Sequence, residues 1–322
     1  MSSSTQGRRY ALISPCRDEA QYMRVTLDSV LRQSVPPAIW VIVDDGSTDA
    51  TPQILAEYAA RFEVLRVVSR RDRGARSVGP GVIEAFYAGF ETIDLDEFDY
   101  IAKLDLDLDV PARYFEHLME RMEREPRIGT CSGKPYFREA VTGRLISELC
   151  GDETSVGMIK FYRSTCFQQI GGFVRQVMWD GIDCHRCRML GWRAVSWDDP
   201  ELRFIHLRPM GTSQKSVLTG RRRHGFGQYF MGTGFTYLSV SCMYRLLHPP
   251  AVAGALASWW GYVGAALRRV ARYDDPEFRR FLRRYQWQCL LHGKSRATAR
   301  LDAEQAAVWS PPVPDADRTA RV

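Results

Sequence analysis

The first ten residues, MSSSTQGRRY, contain no apolar run, so we expect no secretory signal there. No bundle of membrane-spanning helices is indicated, the one long uncharged stretch, 251–267, being short and weakly hydrophobic, and no internal repeat is present. Hydrophobic residues make up 45% and charged residues 25% of the 322 residues, which is ordinary for a globular protein. These features exclude collagen-like, disordered and polytopic membrane classes. We expect a folded chain that begins in the cytosol.

Clustered cysteines are also missing. The eight cysteines are spread along the chain, which is typical of reduced thiols in a reducing compartment. Cys184 and Cys187 form a C-x-x-C pair, but a structural zinc site needs four ligands and no second closely spaced Cys/His pair accompanies it. We interpret the pair as packing thiols on one face of a helix.

The charge distribution is asymmetric. The formal net charge is only +6, but arginines are concentrated after position 200. Such a pattern suits nucleic acid, an anionic membrane surface, a phosphorylated lipid or simply a solvated face. The sequence has no helix-turn-helix, RRM or zinc-finger pattern, so we do not expect a nucleic-acid partner.

Short β-branched runs alternate with amphipathic stretches in the first half of the chain, a pattern that predicts βα units. The sequence therefore predicts an α/β fold with a Rossmann-like, mostly parallel sheet flanked by helices. The predicted strands are 10–14, 39–43, 64–68, 100–104, 128–132, 144–149, 193–197 and 202–206. The predicted helices are 18–33, one after the DDGSTD turn, 80–92, 111–125, 164–170 and 181–190.

Beyond residue 225 the chain becomes aromatic, Gly-rich and basic. Residues 251–267 carry no charge, and three interpretations stay open: a spanning helix, an interfacial or re-entrant hairpin, or a buried helical pair. Trp259 and Trp260 beside flanking arginines favour the interface. We divide the chain into a catalytic domain over 8–212, a helical region for acceptor or membrane contact over 213–300, and a disordered tail over 301–322.

Acidic clusters follow two predicted strands, where an open α/β sheet places its ligand crevice. Asp44 and Asp45 come after a buried strand and could accept hydrogen bonds from a ribose or a base, or could merely cap the next helix. Asp105, Asp107 and Asp109 follow the strand 100–104. Alternate side chains of an extended segment share one face, so Asp105 and Asp107 can converge on one divalent cation.

Four segments in this order resemble family-2 glycosyltransferases of the GT-A fold. They are ALISPCRDE at 11–19, VIVDDGSTD at 41–49, LDLDLDVP at 104–111, and 161–193 with its IGGF and WDGID elements. The resemblance covers about residues 8 to 210. It implies an enzyme that transfers a sugar from a UDP- or GDP-sugar with inversion.

The resemblance also implies a donor site. Pro15, Arg17 and Glu19 match the nucleotide-side loop after the first strand, and Asp44 and Asp45 match the contacts to base and ribose. In the family these residues surround the nucleotide of the donor. The same set is therefore expected to bind the nucleotide here.

The resemblance also implies a metal site. Asp105 and Asp107 resemble the D-x-D pair that holds Mn²⁺ or Mg²⁺ on the donor diphosphate. His206 stands where several enzymes of this fold supply a third ligand, although a core or acceptor-side histidine fits equally well. Arg73 and Lys103 either face phosphate or serve as salt partners of the acidic loops.

The general base is where the sequence departs from the family. The usual motif is Glu-Asp-x-Asp with the second acid as base, and Gly181 stands at that place in Asp180-Gly181-Ile182-Asp183. The base is then Asp180 or Asp183. We slightly prefer Asp183, because a helix predicted to start at Cys184 would hold its carboxylate at the helix N-terminus.

The Gln-x-x-Arg-Trp signature of processive synthases is missing, which indicates transfer of a single sugar. The segment after His206 resembles bacterial members that glycosylate lipid-linked or polysaccharide intermediates in the cell envelope. We therefore expect a lipid-linked or saccharide acceptor at the cytoplasmic face of the membrane. The alternatives are a non-catalytic nucleotide-sugar binding protein, which Gly181 would explain, and a sugar nucleotidyltransferase.

Overall fold

A computed structural model of the chain describes residues 8–72, 74, 79–139, 141–148, 150–208, 217–246, 251–307 and 309–311. Its strands are β1 Tyr10–Cys16, β2 Ile39–Asp44, β3 Leu65–Ser69, β4 Tyr100–Leu104, β5 Leu108–Asp109, β6 Ile128–Ser132, β7 Lys134–Arg138, β8 Leu145–Ser147, β9 Ile159–Arg163, β10 Arg193–Ser196 and β11 Arg203–His206. Its helices are α1 Met23–Leu31, α2 Thr51–Ala59, α3 Pro80–Phe90, α4 Tyr114–Arg124, α5 Ser164–Gln169, α6 Trp179–Met189, α7 Val217–Met231, α8 Phe235–Arg245, α9 Ala251–Leu267, α10 Pro276–His292 and α11 Lys294–Ala306.

The central sheet has seven strands in the order β10-β6-β9-β4-β1-β2-β3. All its pairings are parallel except those of β9, which runs antiparallel to both β4 and β6. The sheet is therefore mixed but mostly parallel, as predicted. Its central strands read as continuous apolar runs because both faces are covered. Tyr10 and Leu12 of β1 point into one core cluster, and Ile13 points into the other.

A smaller four-stranded sheet, β5-β11-β7-β8, lies beside the first. β5 is antiparallel to β11 and pairs Leu108 with His206. This pairing brings the acidic segment after β4 next to the end of β11. The sequence patterns predicted β11 but missed β5, β7 and β9.

Helix α6 corrects one prediction. It begins at Trp179, two residues before the predicted range 181–190 and five before Cys184, where the argument for Asp183 put its start. The residue before it, Met178, has a left-handed backbone with φ 70°. Asp180 therefore lies in the first turn, and Asp183 lies one turn inside the helix. The helix-start argument for Asp183 was wrong. Cys184 and Cys187 are buried on α6, as expected of packing thiols.

Helices α7 and α9 cross at very short distance. A Cβ atom on Gly225 would lie 1.7 Å from the Ser258 carbonyl oxygen, and one on Gly261 would lie 2.0 Å from the Arg222 carbonyl oxygen. Gly261 of α9 thus packs against α7. Within the described parts of the chain, no helix combines the length and the apolar character needed to cross a membrane.

The predicted disordered tail, 301–322, is wrong at its start. Helix α11 continues to Ala306, and Trp309 packs edge-on against Trp192 with 5.3 Å between ring centroids. Burying this aromatic pair stabilises the segment against the core. Residues 312–322 lie outside the described residues.

Candidate active site

A cleft of about 770 Å³ opens at the carboxyl ends of β1, β2 and β4. Its volume is typical of a pocket for a small-molecule ligand. The opposite wall is formed by residues 177–181 at the start of α6 and by the first turns of α7. Most of the predicted site residues line it: Pro15, Arg17, Glu19, Asp45, Asp105, Asp107, Asp180 and His206.

The loop after β1 is fixed by ion pairs. Arg17 donates to the Asp45 carbonyl oxygen at 2.9 Å and to Asp72 Oδ1 at 2.7 Å. Glu19 is buried and forms an ion pair with Arg208, a residue that the sequence patterns did not single out. The charges of Arg17 and Glu19 are therefore both compensated by ion pairs within the protein. Arg73, the other predicted donor contact, lies outside the described residues.

Asp44 and Asp45 have different surroundings. Asp44 is buried, and its carboxylate accepts from the Ser47 backbone N–H at 2.9 Å, so it closes the turn after β2. Asp45 lines the cleft and pairs with Arg70 at 2.8 Å. Gly46, with φ 75°, approaches Asp72 so closely that a Cβ atom would lie 2.4 Å from the Asp72 Cα. Glycine at this position therefore allows the turn after β2 to approach Asp72.

The two aspartates of the D-x-D segment both line the cleft. Asp105 pairs with Lys103, whose ammonium also donates to the Gly157 carbonyl oxygen at 2.9 Å. Burial raises the pKa of Asp105, and the like charge of Asp107 adds to this effect. Two carboxylates held this close in a partly buried site favour the binding of a cation.

Asp107 and His206 lie together at the end of β11. Asp107 Oδ2 is 3.6 Å from His206 Nε2 and 3.5 Å from Arg208 Nε, while Asp107 Oδ1 is buried and has no hydrogen-bond partner among the described residues. His206 Nδ1 lies 2.8 Å from Glu148 Oε2. Burial lowers the pKa of His206, but Asp107 and Glu148 outweigh it and raise the pKa to about 9.

The predicted metal ligands are only partly assembled. In the part of the chain that the structure describes, no three His, Cys, Asp or Glu side chains are close enough to hold a metal by themselves. The pair Asp105 and Asp107, with the orphaned Oδ1 of Asp107, nevertheless fits an oxygen-preferring divalent ion. Glu148 was not predicted from the sequence. Its position beside His206 depends on β8 and β11, which pair with β7 from opposite sides.

The two candidate bases, Asp180 and Asp183, differ in solvent exposure and in hydrogen bonding. Asp183 is 1% exposed, and its carboxylate accepts from the Lys160 ammonium, the Tyr162 hydroxyl and the Cys184 backbone N–H. Asp180 lines the cleft with an exposed side chain. Protein atoms around the carboxylate replace part of its water in the cleft, and this partial desolvation raises its pKa.

Trp179 packs against two buried lysines. Lys103 and Lys160 face each other across β4 and β9, and their ammonium nitrogens are 5.3 and 5.6 Å from the Trp179 ring centroid. Lys160 also donates to the Asp180 carbonyl oxygen at 3.0 Å. The lysine pair thus fixes both the D-x-D segment and the start of α6. Lys103 acts as a salt partner of Asp105, one of the two roles predicted for it.

Comparison with known proteins places the chain among glycosyltransferases. The family model for glycosyl transferase family 2 matches residues 11–180, more than half of the chain. The poly-beta-1,6-N-acetyl-D-glucosamine synthase of Staphylococcus epidermidis is 25% identical over 138 residues, which are 42% of this chain and 31% of that protein. The synthase of Staphylococcus aureus strain COL is 26% identical over 126 residues, or 38% and 27% of the two chains. The chain therefore spans about a third of the length of these relatives.

Solved structures show the same fold at low sequence identity. GalNAc-T7 with UDP, GalNAc and Mn²⁺ has a TM-score of 0.58 at 13% identity, covering 89% of this chain and 58% of that one. The mannosyltransferase PcManGT from Pyrobaculum calidifontis, in complex with GDP-Man and Mn²⁺, has a TM-score of 0.50 at 17% identity and covers 94% and 87%. The predicted GT-A fold is confirmed. The chain belongs to glycosyl transferase family 2.

Proposed function

We propose that the protein transfers one sugar from a nucleoside-diphosphate sugar to an acceptor hydroxyl or phosphate, with inversion and with help from a divalent ion. The observation that carries this proposal is the convergence of Arg17, Asp45, Asp105, Asp107 and Asp180 on one cleft. The nucleotide lies at the β1 and β2 side, and the acceptor lies at the α6 and α7 side. UDP and GDP-Man in the structural neighbours support a donor of this class.

Asp105 and Asp107 would hold Mn²⁺ or Mg²⁺ together with phosphate oxygens of the donor. Such ions commonly use one or two carboxylates plus substrate phosphates, so two protein ligands suffice. His206 is the candidate third ligand, because Glu148 at 2.8 Å fixes its ring as a supporting carboxylate would. Its raised pKa means that the ion would have to displace the proton from Nε2. When bound, the ion neutralises the charge of the departing diphosphate.

Asp180 is the proposed general base. It faces the cleft, whereas the Asp183 carboxylate is occupied by Lys160 and Tyr162. The raised pKa of Asp180 makes the carboxylate a stronger base at neutral pH, which suits removal of a proton from the attacking acceptor hydroxyl. A carboxylate in the cleft at Asp180 also disfavours the alternative of a binding protein without a base. Hydrolysis of donor in the absence of acceptor distinguishes the two, since a binding protein would show none.

The C-terminal region is proposed to contact a membrane and a lipid-linked acceptor. Helices α8 and α9 expose large apolar side chains to solvent, among them Met243 at 66%, Leu256 at 61% and Trp260 at 54%. Arginines flank this surface, and anionic leaflets attract such a combination. We accordingly keep the proposed division into a catalytic domain over 8–212 and an acceptor or membrane region over 213–300, at the cytoplasmic face.

Calorimetric titration tests the donor site. The purified protein is titrated with UDP, GDP and their sugars, with and without Mn²⁺, beside an Asp105→Asn/Asp107→Asn variant. Asp109→Asn is the matched control, because Asp109 belongs to the same acidic run but does not line the cleft. We expect metal-dependent binding in the wild type and the control, and its loss in the double variant.

The opposite results would be equally clear. Binding of equal strength with EDTA, or in the double variant, would remove the metal from the proposal. No binding of any nucleotide by a folded wild-type protein would refute the donor site itself.

A further inference from the structure

The cations that line the cleft fall into two groups. Arg17, Lys103 and Arg208 each form an ion pair with a carboxylate of the protein. Arg221 and Arg223 line the same cleft from α7, and neither has an ion pair or hydrogen bond to any residue that the structure describes. The Asp180 carboxylate lies near Arg223 without forming an ion pair, so neither guanidinium is tied to a protein partner and both can bind a ligand.

The sequence around these arginines offers no counter-charge. No Asp or Glu occurs anywhere between residues 202 and 273. Gly220, Arg221, Arg223 and His224 form one face of the helix toward the cleft, whereas the Arg222 side chain is exposed. The arginines that face the cleft thus belong to a defined wall of the cavity.

Close packing fixes this wall in place. The α7–α9 crossing at Gly225 leaves no room for a side chain, and on the other side a Cβ atom on Gly227 would lie 2.4 Å from Met178 Cγ. Met178 immediately precedes α6, whose first turn carries Asp180 at the cleft. Helix α7 is therefore held between α9 and the segment that carries the proposed base, so the backbone that carries the two arginines is fixed before a ligand arrives.

Asp180 shows on which side of the cleft the arginines lie. Burial lowers the pKa of Arg223, and the nearby Asp180 carboxylate acts in the opposite direction. Arginine remains charged in either case. A base must face the acceptor hydroxyl, so Arg223 lies on the acceptor side of the cleft. The donor diphosphate is expected at Asp105 and Asp107.

We propose that Arg221 and Arg223 form a binding site for a phosphate group carried by the acceptor. This inference rests on the proposed sugar transfer, since that assigns the acceptor side. Guanidinium groups bind phosphate oxygens through paired, charge-assisted hydrogen bonds. The phosphate either links the acceptor to a lipid chain or belongs to a soluble phosphorylated acceptor, and both sources share this chemistry.

The test is a titration with the donor site already filled. The protein is saturated with Mn²⁺ and the nucleoside diphosphate that it binds, and is then titrated with inorganic phosphate, hexyl phosphate and hexanol. We expect saturable binding of hexyl phosphate and none of hexanol. The Arg221→Gln/Arg223→Gln variant should bind hexyl phosphate about tenfold or more weakly, because two charge-assisted contacts are lost.

Arg222→Gln is the matched control, since it removes the same charge from the same helix turn but from an exposed position. It should bind like the wild type. Tighter binding of hexyl phosphate than of inorganic phosphate supports a lipid-linked acceptor, and equal binding supports a soluble one. Unchanged affinity in the double variant, or no saturable phosphate binding by the wild type, overturns the proposal. Nucleoside diphosphate binding by the same samples reports separately on the proposed function.

Discussion

Replacing Asp183 by Asn should damage the fold rather than the chemistry. Asp183 and Lys160 are 1% and 0% exposed, and the ammonium of Lys160 has the Asp183 carboxylate as its partner. Removing one member of a buried ion pair costs about 3–5 kcal/mol, because the other charge stays buried. We expect the lower end, about 3 kcal/mol. The amide keeps one acceptor oxygen, and the Asp180 carbonyl still accepts from Lys160 at 3.0 Å.

Urea unfolding of wild-type and variant proteins measures this loss by linear extrapolation. Asp180→Asn is the comparison, because Asp180 is exposed in the cleft and outside the ion pair. Its stability should stay within about 0.5 kcal/mol of the wild type. Sugar transfer by Asp180→Asn should fall by about 100- to 10,000-fold while the nucleotide still binds.

One pair of results would refute this reasoning. If Asp183→Asn kept wild-type stability and lost transfer, while Asp180→Asn remained active, then Asp183 would be the base. The buried contacts of Asp183 would then have to open during turnover. Partial loss of transfer in Asp183→Asn, in proportion to its unfolded fraction, agrees with the structural role.

Three further outcomes are expected. In the pH profile of kcat/KM, the raised pKa of Asp180 should place the acid limb above the ordinary aspartate pKa of about 3.9. Activity should be present at pH values above that limb and lost below it. A limb at or below about pH 3.9 contradicts the assignment of Asp180 as the base. Gly225→Ala should destabilise the protein by about 1–3 kcal/mol or more in thermal or urea unfolding, because its Cβ would collide with a backbone oxygen of α9, whereas Gly264→Ala, with its nearest atom at 3.9 Å, should not. Leu256→Ser/Trp260→Ser should weaken cosedimentation with anionic vesicles several-fold at low salt, and a wild-type protein that ignores such vesicles would refute the membrane surface.

Much of the sheet was predictable because its strands are buried on both faces and read as apolar runs. β4 and β6 have the predicted bounds, 100–104 and 128–132. The strand β9 was missed, since IKFYR places a lysine at a fully buried position. The partner that makes this burial tolerable, Asp183, is 23 residues away in sequence. Local patterns cannot reveal such a pairing.

The site was predictable to the extent that parallel strands end at a common edge. That rule correctly brought Asp45, Asp105 and Asp107 to one cleft. The rule could not predict that Asp45 faces the cleft while Asp44 does not. Only the geometry of the turn shows that the Asp44 carboxylate accepts a hydrogen bond from the Ser47 backbone. The start of α6 was misplaced since it has no side-chain cap and begins after a left-handed methionine, Met178, which no capping signal marks.

The stretch 251–267 shows why composition left three interpretations open. Helix α9 has two faces: Ala255, Ser258 and Tyr262 are buried at helical spacing, while Leu256 and Trp260 are exposed. Its small residues encode the close crossing with α7, and its large residues remain available to a membrane. Because α7 also carries the arginine wall of the cleft, this single crossing sets the distance between the proposed membrane surface and the acceptor site. A lipid-linked acceptor would need that distance to be constant, and the glycine contact makes it so.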